Sequence, residues 1–229
     1  MPKPFARSRG ALPLLLLALL PAAERAAAAE SLPRVDVRHD AAAGSYLMAA
    51  QADLHADPRT VWRTLTDYEH LPEFIPGIRS VRVAERHAGG GGEDLVVEER
   101  GDARFLVFGQ PIRIRMDVHQ EEPRVVRARA IPWPDAPDPP PGELEPESFS
   151  ASYVLEPIED GVRIVYRARI VPRAPWPAMI ERLALRENAS KQFGALLVEI
   201  ARRERGARSA GGEAAGATAA GGEAPAAAQ

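Results

Sequence analysis

The 229-residue chain contains no cysteine and only two lysines, Lys3 and Lys191. The first absence excludes disulfides, a thiol nucleophile, a thiolate metal site and a lipoprotein anchor, so stability must come from an apolar core. Familiar catalytic signatures are absent too. His39, His55, His70, His87 and His119 show no HExxH or other close ligand spacing, so neither a metal nor a cofactor is expected. There is no GxSxG nucleophile elbow. The Gly89–Gly92 run is not followed by the Lys-Ser/Thr pair of a phosphate loop.

Long apolar runs are missing as well. The longest, Ala11 to Ala23, falls short of the ~20 residues a spanning helix needs. It follows Lys3, Arg7 and Arg9 and precedes the alanine-rich stretch AERAAAAE. This is the pattern of a cleaved signal peptide over residues 1–29, with the cut at Glu30. A periplasmic or secreted protein is therefore expected. Residues 1–29 carry four basic residues and one acid, so their removal takes the net charge from −3 to −6. That balance argues against nucleic acid as a partner.

Residues 30–44 read as a linker and residues 45–205 as the folded domain. The Ala/Gly-rich segment 206–229 reads as a disordered tail, having no large apolar residue to offset the entropy of ordering. Ser45 to Leu54 alternates as a half-buried strand. Asp57 and Pro58 then start a short helix carrying Val61, Trp62 and Leu65. Asp67 is placed to cap a second short helix, from Glu69 to Phe74, which Pro76 ends. Six strands follow. They run through IRSVRVAERH, EDLVVEERG, ARFLVFGQPIRIRMDVHQ with a bulge or bend at Gly109–Pro111, RVVRARAI, FSASYVLEPI and GVRIVYRARIV. Between the fourth and fifth of these lies a stiff Pro-rich insert, 132–147. The last element, Trp176 to Glu204, has helical periodicity. The pattern is α+β: a seven-stranded antiparallel curved sheet, two short helices after its first strand, and a long C-terminal helix.

The segments VWRTLTDYEHLPEFIPGIRSVRV (61–83) and VLEPIEDGVRIVYRARIVP (154–172), with the terminal helix, resemble the START-like helix-grip superfamily. The likeness is to its polyketide-cyclase and coenzyme-Q-binding-protein branch. It extends over about Ser45 to Glu204. It implies a sheet gripping the last helix around a tunnel for a lipid, quinone or polyketide-like molecule. The Pro-rich insert departs from the family pattern, and the export signal argues against the intracellular roles of relatives.

On the terminal helix, Met179, Leu183, Arg186, Ser190, Phe193 and Leu197 fall in one stripe. An arginine under a sheet must pair, escape at the edge or meet a ligand's polar head. The candidate ligand-binding residues are therefore Arg186, Ser190, Met179, Leu183 and Phe193, joined by Met116, Tyr153 and Tyr166. Met48, Phe105, Val107 and Ile114 would line either core or cavity. Trp133 and Trp176 flank the insert and the helix start, at a pocket mouth, at a rim in transient contact with a membrane surface, or in plain packing. Glu98, Glu99 and Asp117 are explained by solvent-facing alternation. The leading expectation is a non-enzymatic carrier of a hydrophobic small molecule. A cyclase or dehydratase would instead recruit Tyr153, Tyr166, Glu99 or His119 as acid–base groups. A protein-interaction module with a filled core is the third alternative.

Overall fold

In the computed structural model, described at residues 33, 35–89, 91–105, 108–135, 138–173 and 177–220, eight strands form one antiparallel sheet. At 103–105, 108, 178 and 211–220 the description is of backbone alone. The expected signal peptide, Val107, Trp176 and residues 221–229 lie outside the described residues. The strands are β1 (Asp36–Asp40), β2 (Ser45–Leu54), β3 (Ile78–Gly89), β4 (Gly92–Phe105), β5 (Phe108–Glu121), β6 (Val125–Ala130), β7 (Ser148–Ile158) and β8 (Gly161–Val171). Their order across the sheet is β1-β2-β8-β7-β6-β5-β4-β3. The first long strand thus pairs with the last, Tyr46 opposite Ile170 and Leu54 opposite Val162.

The sheet has eight strands, not seven, because the expected linker supplies β1. The sequence DVRHD hides this strand. As an edge it buries little, and its pairing is marked mainly by the His39 ring against Tyr46, 4.7 Å between centroids. Val35, just before it, is 2% exposed and belongs to the core. A second correction concerns Gly109–Pro111. Phe105 pairs with Phe108, so these residues lie within β5 instead of forming a bend.

Helix α1 (Pro58–Leu65) starts as expected, with the Asp57 side chain accepting from the Arg59 amide at 2.7 Å and Pro58 in the first turn. Val61, Trp62 and Leu65 are buried. A 3₁₀ turn at Tyr68–His70 and the one-turn helix α2 (Leu71–Phe74) complete the corner. Asp67 does not cap this second segment. One of its oxygens is held by His70 Nδ1 at 2.6 Å and the other by Arg203 at 2.8 Å, so neither is free for a backbone amide. Arg203 also bonds Glu199 and lies over the Phe74 ring, tying the corner to the last helix.

That helix, α3, spans Ala178–Ala220. It continues past Glu204 into the segment expected to be a disordered tail. Alanine is the strongest helix former, and its runs there outweigh a glycine cost of ~1 kcal/mol each.

The Pro-rich segment also finds a place. Strand β6 pairs with β5 only from Met116 onward, which leaves the first half of β5 without that neighbour. Leu144 takes the vacant edge. Its amide donates to the Pro111 carbonyl at 2.7 Å and its carbonyl accepts from the Arg113 amide at 2.9 Å. Beneath this cover Arg113 is 2% exposed, bonded to Glu145 at 3.1 Å and 4.8 Å from the centre of the Trp133 ring.

Candidate functional site

The alternation of the strands decides what faces α3. On β4, Leu95, Val97, Glu99 and Gly101 point one way; on β5, Ile112, Ile114, Met116 and Val118 do the same. Tyr153 on β7 and Tyr166 on β8 are directly opposed in register, their ring centroids 4.8 Å apart. Leu185, Asn188, Ala189, Gln192 and Leu196 of α3 close the other side. Between these walls is a cavity of about 310 Å³. Tyr68, Leu71 and Ile75 of the corner close one end, and Pro146 of the Pro-rich segment contributes to the wall.

Of the residues expected here, Met116, Tyr153 and Tyr166 line the cavity, and Phe193 packs behind Tyr166 at 6.3 Å between ring centroids. Leu197 packs against the core without lining the cavity, and the remaining four residues of the expected helix stripe do not face inward. Met179 is 74% and Leu183 53% exposed, Arg186 is exposed, and Ser190 is half-buried outside the wall. The inward seam runs through Leu185, Ala189, Leu196 and Ile200. It is turned by about 100°, one residue's rotation, from the stripe drawn through Met179 and Leu183. Anchoring that stripe on large apolar residues near the helix start placed it wrongly. The polar side chains that do reach the cavity from α3 are Asn188 and Gln192, whose amide groups donate to the Ala184 and Pro76 carbonyls.

Among the acid–base candidates, His119 lies on the opposite face of β5, 2.7 Å from Asp94 and 3.6 Å from Glu121. Glu98 and Asp117 share that outer face and pair with Arg82 and Arg129. Glu99 is different. The expected solvent-facing role fails because β4 alternates without a break against β5, so the face that carries Leu95 and Val97 carries Glu99 too. Its strand neighbours are Val81 and Ile114. Among the described residues it makes no hydrogen bond or ion pair, and burial pushes its carboxyl up to about 7. The other cavity acid, Asp102, lies 3.4 Å from Arg79. Burial also raises the phenols of Tyr153 and Tyr166, and the Glu99 charge raises both further. The signal for Glu99 in the sequence was its place two residues after Val97 in an alternating strand.

A model of the family described as polyketide cyclase / dehydrase and lipid transport matches residues 47–203. No curated protein matches the sequence significantly. Among solved structures, a STAR-related lipid transfer protein fragment from Xanthomonas axonopodis is similar, with a TM-score of 0.58 at 17% identity, covering 74% of this chain and 94% of that one. Human STARD10 gives 0.58 at 10% identity, covering 79% and 78%. The Zhui aromatase/cyclase from Streptomyces sp. R1128 gives 0.51 at 19% identity, covering 69% and 95%. At these identities the likeness is one of fold: a START-like helix grip.

Proposed function

Because this chain belongs to the polyketide cyclase / dehydrase and lipid transport family, we propose that it is an exported carrier that encloses a hydrophobic small molecule between sheet and α3. The cavity itself is the observation that carries this reading. Its walls are chiefly Ile, Val, Leu, Met and aromatic side chains, and each methylene moved onto such a surface contributes about 0.8 kcal/mol. The volume of about 310 Å³ lies at the lower end of the roughly 300–1,000 Å³ of small-molecule sites. That suits a single short chain or a small ring system. Export rests on residues 1–29, and a carrier that leaves the cytoplasm would meet its cargo at a membrane surface.

One observation favours a second reading. A carboxyl with a pKa near 7, inside the cavity and beside two tyrosines, is what acid–base catalysis on a bound substrate needs.

Native mass spectrometry of the full chain, produced in a bacterial host and purified without detergent, tests the carrier reading. An apolar molecule retained at one per protein is the expected result. A cavity-filling Ala151→Leu variant, altered on the inward face of β7, should retain much less. A protein that is empty and takes up no apolar fluorescent dye would sink the proposal.

A further inference from the structure

The cavity has a sign. The chain carries 29 basic residues, yet among the described residues none of them lines the wall, whereas two acids do. Asp102 has Arg79 beside it. Among the described residues Glu99 has no hydrogen-bond or ion-pair partner, and it is flanked in the sheet by Val81 and Ile114. An unpaired carboxyl in apolar surroundings is costly as an anion, and no described side chain offsets that cost.

Different ligands meet this group differently. A carboxylate or phosphate head would add a second anion beside Glu99, or force a proton onto it. A neutral ligand without a donor would leave the desolvation penalty as it is, and a hydroxyl would offset only part of it, through a hydrogen bond without an opposite charge. An ammonium group would offset it through a charge-assisted hydrogen bond. The surroundings suit a cation in a second way. Tyr153 and Tyr166 line the same cavity with their rings paired, and a cation within ~6 Å of such a ring face is attracted by the quadrupole. The titratable or charged groups around Glu99 are these two phenols, Tyr68 from the corner, and the Asp102–Arg79 pair. The facing residues of β3, β5 and α3 are uncharged.

We propose that the cavity selects an apolar molecule carrying one basic nitrogen, its ammonium group held by the Glu99 carboxylate against the tyrosine faces, and discriminates against fatty acids and other anionic lipids. This deepens the carrier reading and rests on it.

Isothermal titration of the full chain at pH 8 with decylamine, decan-1-ol and decanoate separates head-group charge from tail burial. The expected order is decylamine tightest, by about tenfold over decanol, with decanoate weakest. Glu99→Gln should bring decylamine down to the decanol level, change decanol by less than about threefold, and relax the exclusion of decanoate. If that variant does not fold, the ranking of the three ligands on the unaltered protein decides the matter. Equal binding of all three, tighter binding of decanoate, or an amine preference that survives Glu99→Gln overturns the proposal while the carrier reading stands. Binding of none of the three overturns both.

Discussion

Glu99 places a pH dependence on the whole fold. The folded protein keeps the proton of this carboxyl up to about pH 7, whereas the ordinary value is 4.5. Between those two values the folded state binds more protons than the unfolded one, so stability falls as pH rises from 4.5 to 7 and stays low above. The shift corresponds to about 3 kcal/mol. Glu99→Gln is therefore expected to raise the Tm by several degrees at pH 8 and to change it little at pH 4, as thermal melts at the two pH values would reveal. Equal effects at both would mean that the carboxyl is solvated in the folded protein. Glu199 works in the opposite sense. Hydrogen bonds from Arg202 and Arg203 outweigh its burial and hold it near 2, so its contribution is present above 4.5 and lost as pH falls through the folded value.

At the scale of elements, the Pro-rich segment is anchored by one buried charge. Removing the Arg113 side chain would take from Glu145 its buried partner and leave Trp133 with Arg100 alone over its ring. Arg113→Met should destabilise the protein by about 3 kcal/mol and open residues 132–147 to limited proteolysis, while Arg127→Met, at an exposed pair with Glu121, should do neither. This anchor was not legible in the sequence. Arg113 sits in the polar half of an alternation, IRIRM, and only the return of a segment thirty residues later buries it. Elements with strong local signals were legible: α1 with its Asp57 cap, the β7–β8 hairpin at Gly161 with its φ of 153°, and α3 as a helix. Features set by neighbours distant in the chain were not. Edge strand β1 has too little apolar content to stand out, and the rotation of α3 depends on which residues the sheet meets. At the site, Tyr153, Tyr166 and Met116 were legible as inward positions, whereas Glu99 was assigned to solvent because acids usually go there.

For the whole molecule, strand β1 does more than extend the sheet. It is short and carries Asp36, Arg38, His39 and Asp40, the kind of edge that resists pairing with another chain. Without it, β2 would present an open edge, with Leu47 already 40% exposed, and the core would lose Val35. A chain shortened to begin at Ser45 should therefore be less stable and should elute in size-exclusion chromatography as associated species, whereas the full chain is expected to elute at a volume independent of concentration. The partnership of β2 with β8 carries a further consequence, for the order of events during folding. More than a hundred residues separate Tyr46 from its partner Ile170, so the β1–β2 edge cannot join the rest of the sheet until β8 is available. Contacts of such range make for slow folding, on the millisecond-to-second scale of β-rich topologies. Until β8 and α3 arrive the cavity lacks its Tyr166 wall and its helical side, so the enclosure is the last part of the fold to exist.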